Sequence, residues 1–470
     1  MISLRNKKLA YKMINHKGIE MENRANNDSI ALRIFLLLVF LLVFVNLAQT
    51  SKAETIKKSI PDNIIYVVSN DPVENGNSIL AYKRDQDGNL TPLSGSPFLT
   101  SGKGYATKEK EYGLPHFGPF DLDQNIIFNQ EKTRLFATNG GSDSIAVFDI
   151  QSDGTLKAVP GSPFPSGGKN PVSLGLAGDK LYVVNKNEDP GRDMTKTKPN
   201  YTGFRVNPNG ILIPIPNSTI ELATASRSPT QALIVKERFI FDGDFGRFPL
   251  ASRVAMWGED LKKDTPSMIR SFRIKPNGTL EQNPPTPAPP GAFDGGLDVD
   301  NDGEPDPLMF GLQKHPTKQL IYVSMVSGAR MAVFSYDDRG KLSLENIVTN
   351  KGQLICWIKI NKKGTRAYTT NNGDNTVSVY DLTDPINPKE IQTLKLKGNG
   401  HPYQLDLDSK ESFMYIVKHR TFPETPIGKG NELDVLKIKE DGTLEEVSSS
   451  PIKLPVRDDL LARPQGVAAL

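Results

Sequence analysis

The stretch RLFATNGGSDSIAVFDIQSDGTL, Arg134–Leu156, decides the fold. It holds two runs of alternating side chains, RLFATN and SIAVFDI, and closes on Asp-Gly. Alternation with period two, rich in β-branched and aromatic residues, makes half-buried strands. Asp-Gly supplies the positive φ that a tight hairpin needs. The turn phrase recurs as DGNL at Asp87, DGTL at Asp153, NGIL at Asn209, NGTL at Asn277, RGKL at Arg339 and DGTL at Asp441. Between the last two, DPINPKEI from Asp384 fills the same place, which makes seven units. Each phrase follows a pair of alternating runs, such as IIYVVSN with SILAYKR, LYVVNKN with YTGFRV, and RAYTTNN with TVSVYDL.

A further strand opens most units: NPVSLGLA at Asn170, SPTQALIV at Ser228, DPLMFGLQ at Asp306 and HPYQLDLD at His401. FGPFDLDQ at Phe117 and GQLICWIK at Gly352 are looser versions. Each unit is therefore four strands, a to d. The first unit lacks strand a and begins directly at Asn63, while the chain ends on RPQGVAAL, Arg463–Leu470, which reads as a strand opening. The C-terminal strand supplies strand a of the first unit and closes a ring. Four-stranded units arranged radially predict an all-β, seven-bladed β-propeller. Its blades are expected at 63–98 with 463–470, 117–168, 170–224, 228–290, 306–351, 352–399 and 401–455. Long insertions in the third to fifth units leave six or eight blades as the alternative.

Composition bounds the rest. The 470 residues carry a net charge of +3 with nearly balanced signs, which argues against nucleic-acid binding. The single cysteine, Cys356, excludes an intrachain disulfide framework and a cysteine-based zinc site. Near the N-terminus, Arg5, Lys7, Lys8, Lys12, Lys17, Arg24 and Arg33 outnumber Glu20, Glu22 and Asp28. The uncharged run IFLLLVFLLVFV, Ile34–Val45, follows. Such a run suits a secretory h-region and is short of the roughly 20 residues of a spanning helix. Ser51 and Ala53 stand at the −3 and −1 positions of a cleavage site after Ala53. The expectation is a signal peptide over 1–53, a linker over 54–62, and a secreted or periplasmic monomer free of the membrane after cleavage. An uncleaved anchor is the alternative, and Met13 or Met21 are alternative starts.

The phrases LYVVN, LFATN and AYTTN, with TVSVYDL and SIAVFDI, resemble the YVTN-type propeller repeat. The NGTL phrases and the segments LSGSPF (Leu93–Phe98) and VPGSPF (Val159–Phe164) resemble the seven-bladed lactonase family, which includes 6-phosphogluconolactonases. The resemblance covers about residues 60–470 and implies hydrolysis of a cyclic carboxylic ester. In that family a His-Pro at the start of a strand a lines the channel, and His401-Pro402 matches it, although Tyr403 follows where another basic residue is expected.

Loop lengths point to one face. In an up-and-down blade, the d-to-a and b-to-c connections share a face. The long connections Leu99–His116, Lys186–Asn200, Gly243–Ser267, Pro284–Glu304 and His419–Asn431 are all of these kinds. Loops on a rigid scaffold carry function. Lactone hydrolysis needs an activated water and a donor for the developing oxyanion. His401, His116 or His419 are candidate bases, Arg227, Arg192 or Arg463 candidate donors, and Glu188 a further carboxylate. Strand-b ends also place Asn70, Asn139, Asn185, Asp242 and Asn371 here, where asparagine caps turns through its own side chain. No G-x-S-x-G or H-E-x-x-H motif occurs, so a serine nucleophile is not supported.

DVDNDGEPD, Asp298–Asp306, sets Asp298, Asp300 and Asp302 at positions 1, 3 and 5 of an EF-type loop, with Gly303 at 6 and Asp306 at 9. Position 12 is Met309, so the bidentate glutamate is missing. The expectation is a structural calcium ion; a solvated acidic loop is the alternative. Two functions stay open: an exported lactonase-like hydrolase acting on a small-molecule lactone, and a non-catalytic propeller that binds a protein or glycan.

Overall fold

The computed structural model describes residues 60–105, 124–189, 192, 194, 196–223, 228–245, 267–298, 303–421, 425–460 and 462–470. These residues form seven antiparallel sheets, each ordered a-b-c-d from the centre outward. Blade 3 shows the plan: Pro171–Ala177, Lys180–Asn185, Asn200–Val206 and Leu212–Pro214. The apolar run Ile34–Val45 and the cleavage site after Ala53 lie outside the described residues. Among the described residues, no helix is long and apolar enough to cross a membrane.

The ring closes as expected. Gln465–Ala469 pairs antiparallel with Ile64–Val68 as strand a of blade 1, with Val67 opposite Val467 and Ile65 opposite Ala469. Strand alternation then sends successive side chains to opposite faces. Val467 and Ala469 join Ile65 and Val67 in one core cluster. Ala468 and Leu470 join Ile64, Tyr66 and Val68 in another.

The repeated turn phrase has a second duty. The strand-b tyrosine of one blade donates its hydroxyl to the turn glycine carbonyl of the next: Tyr66 to Gly154 at 2.6 Å, Tyr182 to Gly278 at 3.0 Å and Tyr368 to Gly442 at 3.1 Å. Gly154 has φ +88°, and a Cβ there would stand 2.8 Å from Ile64 Cγ1 of the preceding blade. Glycine thus serves both the hairpin and the blade-to-blade contact.

Strand d departs from a simple strand. In five blades it is two short pieces that both pair with strand c, as in Leu90–Pro92 and Phe98–Leu99. The intervening serine fills the gap. Ser96 Oγ accepts the Ala81 N–H at 2.9 Å, and Ser162 that of Val147 at 2.9 Å. This gives the GSPF segments their role. Blade 2 differs from expectation at its inner strand. Strand a is Ile126–Phe128, facing Leu135–Ala137, rather than the segment starting at Phe117. The apolar IIF lies directly before the a-to-b turn, where an inner strand must end. Residues 106–123 lie outside the described part.

Candidate functional site at the loop-rich end of the channel

The innermost strands a surround the axis, and each begins at the loop-rich face. In blades 5, 6 and 7 the a–b register breaks near that start: between Met309 and Leu312, Ile355 and Ile358, and Pro402 and Leu405. A β-bulge re-aims the side chains it carries. Phe310, Trp357 and Tyr403 occupy these three breaks and stack on one another. Phe310 lies 5.2 Å from Trp357, and Trp357 4.6 Å from Tyr403, between ring centroids. At one end Tyr403 meets His419 at 3.7 Å. At the other, Phe310 stacks on Phe245 at 4.6 Å and 11°. The row therefore spans blades 4 to 7.

Charge closes the row. Lys186 Nζ sits 5.7 Å over the Phe245 ring, a cation–π distance. Lys186 also pairs with Glu188 at 3.6 Å, with both side chains almost wholly buried. Ser228 Oγ donates to Glu188 Oε2 at 3.3 Å. Beside Tyr403, Arg463 is 2% exposed. Burial pushes its guanidinium down to about 9, with Arg420 adding to the fall, so it stays charged at neutral pH. Tyr105, in the loop leaving blade 1, donates to Gln465 Oε1 at 2.9 Å.

The sequence candidates divide. Glu188 and Arg463 are buried at this end. His401 Nδ1 donates to the Asn372 carbonyl at 2.7 Å. That bond places the lone pair of the neutral ring on Nε2. His401 also pairs in register with His419. Glu188 belongs to blade 3 and His401 to blade 7, so they sit on different arcs of the mouth. His116 and Arg227 lie outside the described residues. Arg192 has another task. It grips Asp143 through two nitrogens, at 2.8 and 2.9 Å, and Asp189 at 2.8 Å, tying the b-to-c loops of blades 2 and 3.

The strand-b asparagines Asn139 and Asn371 are held in hydrogen bonds. Asn139 Oδ1 accepts from Thr100 at 2.6 Å and Asn77 at 2.8 Å, and Asn371 donates to Thr376 and Ser378, each at 2.9 Å. Asp242 is likewise occupied. It accepts from Tyr201 at 2.5 Å, Thr230 N–H at 2.9 Å and Gln231 N–H at 2.6 Å.

In the acidic loop, Asp300 and Asp302 lie outside the described residues. Asp298 Oδ2 accepts the Gly303 N–H at 3.0 Å, while Oδ1 is buried without a donor. That orphaned oxygen fits a cation ligand. Asp306 is buried, and its N–H donates to the Leu297 carbonyl at 2.8 Å. Among the described residues, no group of three or more His, Cys, Asp or Glu is placed to hold a metal.

No protein-family model and no curated protein matches the chain. Solved structures do. A Bacteroides uniformis protein named as a candidate 6-phosphogluconolactonase matches at TM-score 0.59 and 14% identity, over 87% of this chain and 100% of that one. The periplasmic gluconolactonase PpgL of Pseudomonas aeruginosa matches at TM-score 0.58 and 13% identity, over 86% and 98%. A Sulfolobus tokodaii protein named as a hypothetical selenium-binding protein matches at 0.55 and 14%, over 88% and 94%. At such identities the likeness is one of fold, and these proteins have different names on similar scaffolds. The chain is a seven-bladed β-propeller similar in fold to these proteins.

Proposed function

We propose that the protein is an exported lactonase-type hydrolase acting on a small cyclic carboxylic ester at the loop-rich end of its channel. The observation that carries this reading is the row Phe245–Phe310–Trp357–Tyr403, which joins the buried Lys186–Glu188 pair to His419. The row is packed, with Trp357 1% and Phe245 2% exposed, so it forms a rigid apolar floor under the mouth, and the buried charges give polar anchors. The names of two fold neighbours point the same way.

In this reading a water, deprotonated at His401 Nε2, adds to the ester carbonyl. The Arg463 guanidinium stabilises the oxyanion; collapse of the adduct breaks the C–O bond of the ring, the leaving alkoxide takes the proton back from His401 Nε2, and a hydroxy acid results. Glu188 positions Lys186, and His116 and Arg227 belong to the same candidate set. Export rests on the h-region Ile34–Val45 and the Ser51-x-Ala53 ending. A calcium ion held by Asp298, Asp300, Asp302 and Asp306 rigidifies the loop ahead of blade 5. The protein acts as a monomer.

The test is proton release on a panel of five- and six-membered lactones at constant pH. Saturable turnover of at least one is expected. No turnover across the panel, with the fluorescence of a Trp257→Phe variant, which keeps Trp357, still quenched by a lactone, would replace the enzyme by the non-catalytic binding propeller.

A further inference from the structure

The other end of the channel is built differently. A cavity of about 340 Å³ runs along the inner wall of blades 6, 7, 1 and 2, from mid-channel to the a-to-b turns. Ligand pockets begin near this size, at roughly 300 Å³. Its charged lining residues are Lys132, Lys359 and Asp406. Lys359 pairs with Asp406 at 3.1 Å, and Asp406 Oδ2 also accepts the Ala469 N–H at 2.9 Å. Lys132 instead donates to two neutral acceptors, the Ala469 carbonyl at 2.9 Å and Ser409 Oγ at 2.8 Å. Among the lining side chains, two lysines face one aspartate. Burial holds the Lys132 ammonium below the usual lysine value, so an anion beside it would be favoured.

Asn125 gives an independent mark. Its side chain lines the cavity, the residue is 3% exposed, and Oδ1 is buried without a hydrogen-bond donor. An unmet amide oxygen is costly to bury. Gln124 and Gln404 bring two further amides to the lining. Amides both donate and accept, which suits hydroxyl groups. Gly466 of the closing strand, φ +69°, lets this wall form, because a Cβ there would stand 2.0 Å from Asn125 Oδ1.

We propose that the turn-face half of the channel is a second binding site, for a small hydroxylated carboxylate whose charged end meets Lys132 and whose hydroxyls meet the amides around Asn125. The site is separate from the loop-rich mouth and does not depend on lactonase activity. Its ligand would touch Gly466–Ala468 of the closing strand and Ile126–Phe128 of blade 2, so binding should strengthen closure.

The experiment is thermal melting of the full chain in tartrate, succinate, inorganic phosphate and chloride at equal ionic strength. Tartrate is expected to raise the melting temperature, the shift growing as the logarithm of its concentration once that exceeds Kd. Succinate, without hydroxyls, and phosphate should raise it less. Lys132→Gln should raise the tartrate concentration needed for a given shift by about tenfold or more, the loss of one charge-assisted hydrogen bond. Lys132 also anchors Ala469, so Asn125→Asp is the second variant. It keeps the side-chain shape, adds a repelling charge, and should weaken tartrate similarly. A tartrate shift no larger than that of chloride, or one that needs the same tartrate concentration in both variants as in the parent, overturns the site. A phosphate shift equal to or above that of tartrate overturns the assigned ligand class.

Discussion

The two ends of the channel share the inner strands of blades 6 and 7 and differ in what lines them. At the loop-rich end, bulged strands present Phe310, Trp357 and Tyr403, and charge is buried in the Lys186–Glu188 pair and Arg463. At the turn end the inner strands of blades 6, 7, 1 and 2 surround a small cavity with amides, two lysines and Asp406. The difference follows from the connections. Short a-to-b turns are fixed by hairpin geometry and repeat from blade to blade. The b-to-c and d-to-a connections are free to lengthen, so that end holds what is particular to this chain.

Closure underlies both ends, and breaking it has the largest expected effect. Deleting Arg463–Leu470 removes strand a of blade 1, strips Lys132 of the Ala469 carbonyl, and exposes the edge of Ile64–Val68. The product should be insoluble or should melt far below the parent. Deletion of Glu54–Ile60, ahead of the first strand, is the control and should be mild. Equal melting of the two truncations, followed by circular dichroism, would show that the seam carries no special load.

Calcium should act on the loop-rich end alone. Binding only the folded state adds about 2.7 kcal/mol at a hundredfold excess over Kd. A melting curve indifferent to calcium and chelator would dismiss the ion at Asp298–Asp306.

A smaller effect tests the burial of charge at the loop-rich end of blade 7. Asp434 is fully buried, with Lys418 Nζ at 3.4 Å and Glu432 and Glu446 nearby. Burial pushes its carboxyl up to about 8, against the pull of Lys418. The unfolded value is about 3.9. The folded state therefore holds this proton more tightly, and its contribution to stability falls as pH rises from about 4 to about 8. Asp434→Asn should flatten that slope and gain on the order of 1 kcal/mol at high pH, since Lys418 keeps Glu432 at 3.1 Å. Urea midpoints at several pH values would show it. An unchanged slope would mean that the ion pair stays charged throughout.

Most of the architecture was legible in the sequence, because it rests on local rules. Asp-Gly and Asn-Gly mark hairpins, period-two runs mark strands, and the orphan strand RPQGVAAL has one vacant place to go. The inner strand of blade 2 was misplaced because FGPFDLDQ resembles the proline-led openings, whereas the strand is the apolar IIF just before the turn. The aromatic row was missed for a different reason. A bulge adds one residue to a strand, and a period-two reading passes over it. Trp357 looked like an isolated strand residue, and Tyr403 like a departure from a basic position. Aligning the starts of the strands a in blades 5 to 7 sets Phe310 with Cys356 and Tyr403, and Trp357 one position on with Gly311 and Gln404, so the row crosses two positions of the bulge and a column by column reading does not gather it.

The central claim is that chemistry belongs to the loop-rich end and not to the turn end. The most direct measurement is the rate of hydrolysis of one accepted lactone by His401→Ala and by Lys132→Gln, each checked for a native circular dichroism spectrum. A general base contributes about 10²- to 10⁴-fold. The expected result is a loss of that size in His401→Ala and a parent-like rate in Lys132→Gln. Full activity in His401→Ala, or an equal loss in Lys132→Gln, would contradict the assignment of the site.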